Sequence, residues 1–203
     1  MRSSILAPLT VLLVVPQVCA QQLDQRSPDL MVKSTIEDVL AAIKSDPGAR
    51  AGDLDRIYHV VEQKFLPHTD FRRSTEFAVG TAWSNATPAQ RELLFRQFQA
   101  LLAHTYATQL SQAQDMRFKY LPMARLNPGA TDAVVRTLVI SNGDTMPIDY
   151  RVHRTGAGWK IYDINMMGAW MIALYRQQFA GQLAKGGIDG LIKYLAAHNA
   201  PAN

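Results

Sequence analysis

The sequence predicts an α+β fold, with helices first, an antiparallel sheet next, and helices again. Three observations carry that reading. From 28 to 111 apolar residues recur at helical spacing between recognisable caps and breakers. From 116 to 166 four runs alternate apolar with polar residues and are separated by turn residues. From 168 onward the pattern is helical once more. A block of helices, a meander and closing helices pack as helices on one face of a sheet. Short connections leave no linker between 21 and 203, so that span reads as one domain.

The first twenty residues stand apart. Arg2 is followed by an apolar run over 5–15, and Val18-Cys19-Ala20 places small residues before Gln21, the pattern of a cleavable secretory signal peptide. The run is too short for a membrane span and carries Pro8, with Pro16 just behind it. Pro16-Gln17-Val18 lacks the small residues expected ahead of a lipidated cysteine. Cleavage after Ala20 removes the single cysteine, so the 21–203 domain must be held by its core and not by a disulfide.

Ser27-Pro28-Asp29 opens the first helix, which carries Val32, Ile36, Val39, Leu40 and Ile43 on one face and ends at Asp46-Pro47-Gly48. A second presents Leu54, Ile57, Val60, Val61 and Phe65 and stops at Pro67. Asp70 caps a third, short helix that reaches Gly80 and Trp83. Thr87-Pro88-Ala89-Gln90 is a capping box and starts the longest helix, roughly to residue 111. Strands are predicted over 116–126, 133–141, 145–154 and 159–166, punctuated by Asn127-Pro128-Gly129, Asn142-Gly143-Asp144 and a loop at 156–158. Helices over 168–185 and 189–197 close the chain, with Gly186-Gly187 between them.

Several kinds of chemistry are excluded. A net charge of +4 with no Lys/Arg-rich patch does not suit nucleic acid. The histidines (His59, His68, His104, His153, His198) fall at no metal-ligand spacing, and neither a nucleophile elbow nor a phosphate loop is present. Asp149 beside Tyr150, facing Tyr162 and Asp163, could abstract a proton next to a carbonyl, the chemistry of small isomerases. Alternation argues otherwise, because Asp149 is out of phase with Met146, Ile148, Tyr150 and Val152. Asp149 and Asp163 are therefore expected to face outward as structural acids, with Arg151 and Arg154 as partners.

What remains is a large apolar set. It comprises Phe98, Leu102 and Tyr106 on the long helix, Val135, Val139, Ile148, Tyr150, Val152 and Ile161 on the strands, and Met166, Met167, Trp170, Leu174 and Phe179 after them. Residues 169–175 are seven apolar residues in succession, and a helix apolar on all sides needs cover all round. Periodicity leaves open whether protein or a greasy ligand supplies it.

Certain segments are familiar in combination. Asp70-Phe71 through Gly80 and Trp83, Thr87-Pro88-x-Gln90 with Phe95 and Phe98, Leu101-Leu102-x-x-Thr105-Tyr106-Ala107, Ile148-Asp149-Tyr150-Arg151, Gly158-Trp159-Lys160-Ile161-Tyr162-Asp163, Tyr175-Arg176-x-Gln178-Phe179 and Gly187-Ile188-Asp189-Gly190-Leu191-Ile192 occur in order. Over about 65–195 they resemble the MlaC, or toluene-tolerance, family of phospholipid-binding shuttles in the Mla lipid-asymmetry system. The resemblance implies a cone similar to nuclear transport factor 2, with helices on a four-stranded antiparallel sheet around an apolar cavity. The apolar set named above would line that cavity, acyl chains would lie inside and the headgroup in water. It further implies a monomeric periplasmic carrier without cofactor or catalytic activity. Its partners would be an outer-membrane lipoprotein–porin complex and an inner-membrane ABC transporter with an MCE-domain ring. The chain departs from the family at Met167, Trp170 and Leu174, where relatives carry small or polar residues. That bulk raises a hopanoid or other polycyclic lipid as an alternative cargo.

Overall fold

The computed structural model describes residues 27–112, 116–141 and 143–200; the predicted signal peptide lies outside them. Helix α1 (Pro28–Ser45) leads through α2 (Pro47–Arg50) to α3 (Leu54–Val60), which runs on as a π-turn (Val61–Phe65) and a 3-10 turn (Leu66–His68). Pro67 cannot donate to a helical ladder, which accounts for the loosening there. Helix α4 (Phe71–Val79) continues as a 3-10 turn (Gly80–Asn85), and α5 (Pro88–Gln112) is the long helix. The strands are β1 (Arg117–Tyr120), β2 (Asp132–Ser141), β3 (Asp144–Thr155), β4 (Gly158–Met166) and β5 (Ala169–Trp170), paired antiparallel in that order. Helix α6 (Met171–Asn199) closes the described chain and kinks at Gly187, with φ 60° and ψ −156°, at the predicted break.

Local chemistry sets these boundaries. Asp46 Oδ1 accepts from the Gly48 and Ala49 amides at 2.9 and 3.0 Å, and Asp70 Oδ1 accepts from the Arg73 amide at 3.0 Å. Thr87 and Gln90 cap each other reciprocally, at 2.9 and 3.2 Å, as the capping box requires. Ser27 does not cap α1 with its side chain; its hydroxyl bonds to Asp29.

The sheet differs from expectation at both ends. It has five strands, not four, because Ala169 and Trp170 leave the predicted helix and pair with Met166 and Asn165. The strand predicted over 116–126 ends at Tyr120, and the chain beyond is irregular, with Met123 and Leu126 folded against the sheet.

Cross-strand register sorts the side chains. Ala133, Val135, Thr137 and Val139 of β2 lie opposite Val152, Tyr150, Ile148 and Met146 of β3, all on one inner face. Across β3, Ile148, Tyr150 and Val152 meet Met166, Ile164 and Ile161. The register shifts between Arg151 and Val152, which face Asp163 and Ile161, so Tyr162 is the extra residue of a bulge.

Three apolar clusters result. The inner face around Val135, Tyr150, Val152, Trp159 and Ile161 is covered by Met31, Val32 and Ile36 of α1. A second joins α4, α5 and α6 through Val79, Leu94, Phe98, Tyr175, Phe179, Leu191 and Leu195. A third packs Val39 and Ile43 of α1 on Ile57 and Val60 of α3, and Phe65 touches both this cluster and the sheet. No helix of the described residues is long and apolar enough to cross a membrane.

Candidate functional site

The inner face of the sheet carries the strand members of the apolar set. Val135, Val139, Tyr150, Val152 and Ile161 are buried, whereas Ile148 and Met166 keep part of their surface accessible. Phe118 and Tyr120 of β1 extend the face opposite Val139 and Thr137. The helical members sit apart from them. Phe98 meets Phe179 and Tyr175 edge-on at centroid distances of 5.1 and 4.9 Å, with Leu102 packed against that cluster. Leu102 and Tyr106 are half-buried. The structure thus places the expected lining in two clusters instead of one continuous core, and the partly accessible members lie at their margins.

Three of the predicted residues do not join the inner set. Met167 is 71 % exposed at the β4–β5 turn, and Leu174 is 46 % exposed on α6. Residues 169–175 do not form one helix apolar all round: β5 takes the first two, and within α6 only Ile172 and Tyr175 of that run are buried. Trp170 lies with its ring under the Arg151 guanidinium, 3.8 Å from carbon to centroid.

Asp163 also departs from expectation. It is fully buried, not facing solvent. One oxygen accepts the Ile164 and Ile172 amides, both at 3.0 Å, and the other accepts Arg151 Nη1 at 3.0 Å. Ile172 is the second residue of α6, so this carboxylate caps the helix from the neighbouring strand. Burial pushes its pKa up, opposed by the Ile172 amide and by Arg151. With donors on both oxygens, Asp163 holds the helix to the sheet and presents no free base. Asp149 is half-buried, opposite Arg136 on the outer face.

The tyrosines sit in apolar surroundings. Burial pushes the Tyr150 hydroxyl up, with a compensating bond to Thr137. Tyr120 and Tyr175 are both raised to about 12, again by burial first. A proton held that tightly suits a hydrogen-bond donor better than a base.

A polar network behind α4 went unnoticed in the sequence. His153 Nε2 lies 2.9 Å from Asp70 Oδ2, and Arg73 Nη1 lies 3.4 Å from His153 Nδ1. Because arginine only donates, Nδ1 accepts and Nε2–H points at Asp70. Arg73 also lies 4.7 Å over the Tyr162 ring. The network fastens α4 to β3 and β4, aided by Ser74 Oγ donating to the Tyr162 carbonyl at 2.5 Å. Sequence reasoning also missed Met31, Val32 and Ile36 as the cover of the sheet, although their spacing marked them as one helix face. Thr137 is polar, yet its phase with Val135 and Val139 places it on the inner face. Among the described residues no cluster of His, Cys, Asp or Glu could hold a metal ion.

This geometry defines a class: an α+β protein in which helices close over the apolar face of one antiparallel sheet, with the buried Asp163 spent on structure. Known proteins narrow the class. A family model described as "MlaC protein" matches residues 33–197. The "Intermembrane phospholipid transport system binding protein MlaC" of Haemophilus influenzae is 22% identical over 187 residues, 91% of this chain and 87% of that one. The "Toluene tolerance protein ttg2D" of Pseudomonas putida is 22% identical over 165 residues, 81% of this chain and 76% of that one. A solved phospholipid-binding protein from Ralstonia solanacearum, in complex with a phospholipid, superposes with a TM-score of 0.81 at 41% identity, over 84% of this chain and 96% of the other. The chain belongs to the MlaC family.

Proposed function

We propose that this protein is a periplasmic carrier, not an enzyme, that binds phospholipid by its acyl chains. The chains lie against the inner face of the sheet, between Ile148, Met166 and Tyr150 on one side and Leu102, Tyr106 and Phe98 on the other, with the headgroup in water. The observation that supports this most is the partial accessibility of Ile148, Met166, Leu102 and Tyr106. Aliphatic and aromatic groups on inward faces bury fully when a core closes on itself. The phospholipid bound to the 41% identical Ralstonia protein supports the choice of ligand.

Energetics explain why a carrier is needed. An acyl chain with about 15 methylenes at ~0.8 kcal/mol each hides about 12 kcal/mol of transfer free energy from water. Unassisted crossing of an aqueous compartment is negligible on that scale. Exchange between bilayer and pocket replaces one apolar environment by another, so handover is near balance and direction is set by partners. Those partners are an outer-membrane lipoprotein–porin complex and an inner-membrane ABC transporter bearing an MCE-domain ring. Hydrolysis belongs to the transporter. Met167 and Leu174, whose bulk suggested a polycyclic cargo, are exposed, so they supply no reason to prefer one.

Organic extraction of the purified protein followed by mass spectrometry tests the reading. Phospholipid in near-stoichiometric amount is expected. A folded preparation that is empty, and stays empty after incubation with phospholipid vesicles, would overturn it.

A further inference from the structure

The outer face of the sheet is covered by α4 and α6 only near His153 and Asp163, and the part formed by β1, β2 and the start of β3 has a composition of its own. Cross-strand pairing sets Lys119, Leu138 and Pro147 in one row and Arg117, Ile140 and Thr145 in the next. Val134 and Ile140 are 39 % and 36 % exposed, and Pro147 is exposed as well. Arg117, Lys119 and Arg136 are exposed and have no acid within ion-pair distance among the described residues. Among the described residues three acids share this face: Asp149 beside Arg136, Asp132 paired with Arg73, and Asp163, buried and paired with Arg151. At the end of the same face stands Met167, whose amide bonds to the Pro147 carbonyl at 3.3 Å.

Met167 is the informative residue. Its φ of 53° lies in the left-handed region, which strains any residue with a large side chain and suits Gly or Asn. The structure therefore keeps an apolar side chain in an unfavourable conformation and leaves it in solvent. A thioether at a turn tip beside Pro147, with Ile140 and the cations of β1 and β2 farther along the same sheet, fits an apolar layer under a layer of negative charge. We propose that this outer face docks on the surface of an anionic phospholipid bilayer, with Met167 and Ile140 entering the interface and Arg117, Lys119 and Arg136 meeting lipid phosphates.

Charge decides among occupants. A second copy on a two-fold axis would set these cations against their own equivalents. The cations are spread over adjacent strands, from roughly 7 to 14 Å apart by strand geometry, which matches the diffuse, laterally mobile charge of a leaflet. This docking does not depend on the carrier reading.

Flotation of the purified protein with vesicles tests it. Binding to phosphatidylethanolamine vesicles containing phosphatidylglycerol is expected, weakened by salt, with none to pure phosphatidylcholine. Exchanging both Arg117→Glu and Lys119→Glu should weaken binding at least about tenfold. The same charge change at Lys185→Glu with Lys193→Glu, on α6, should have far less effect. Met167→Asn should weaken binding about fivefold while leaving the melting temperature unchanged or higher, because Asn tolerates the turn. Equal binding to neutral vesicles, binding only to an acidic protein, equal loss from the α6 exchanges, or a lower melting temperature for Met167→Asn would each overturn the proposal. Co-purified lipid, measured separately, reports on the carrier reading alone.

Discussion

Asp163 shows how one side chain can hold two elements together. It is buried in β4, accepts an amide from its own strand, another from the first turn of α6, and a guanidinium hydrogen bond from Arg151. Asp163→Ala would leave the Arg151 charge and the Ile172 amide without their partner, and should destabilise the fold by about 3 kcal/mol in denaturant unfolding. The pH dependence has a definite sign. Burial raises this carboxyl above the ordinary aspartate value of 3.8. The stability linked to its proton is fully present below that value and is lost as pH rises through the folded-state pKa. Stability of the native protein relative to Asp163→Asn should therefore decline from acid toward neutral pH. Parallel profiles for the two proteins would show that Asp163 does not titrate as described.

Among the elements, α6 is the most demanding. Its kink at Gly187 combines φ 60° with ψ −156°, a region essentially closed to residues with a Cβ. No atom lies within 4 Å of a Cβ added there, so Gly187→Ala would act through backbone strain alone. A loss of about 1–3 kcal/mol in thermal or denaturant unfolding is expected. Past the kink, Leu191 and Leu195 return to the cluster of Phe98 and Phe179. At the start of α5, Thr87→Ala removes one half of the capping box and should cost about 1 kcal/mol.

For the whole molecule, the division into clusters separates stability from cargo. Val152 is fully buried between α1 and the sheet, so Val152→Asp should prevent folding, seen as loss of near-ultraviolet circular dichroism. Leu102 is half-buried at the margin of the helical cluster. Leu102→Asp should keep the native spectrum and lose co-purifying phospholipid; a variant that folds and still carries lipid would move the site elsewhere. On the readings proposed above, the two faces of one sheet would serve different ends, the inner one for acyl chains and the outer one for a membrane surface.

The sequence alone determined what depends on neighbours along the chain. The caps at Asp70 and Thr87, the break at Gly187, the alternation of Met146, Ile148, Tyr150 and Val152, and the α+β order all follow from local geometry. Motifs spread over the chain carried the family. Tertiary structure decided what depends on a partner distant in sequence. Asp163 looked like an outward acid because alternation from Asp149 predicts its phase, yet that phase says nothing about what covers the face, and α6 does. Trp170 and Ala169 satisfy a helical pattern, but the free edge of β4 captured them as a strand. Met167 and Leu174 are apolar in a run of apolar residues, and only the turn after Met166 and the direction of α6 place them in water. Hydrophobicity fixes which residues gain from burial; the packing of distant elements decides which of them obtain it.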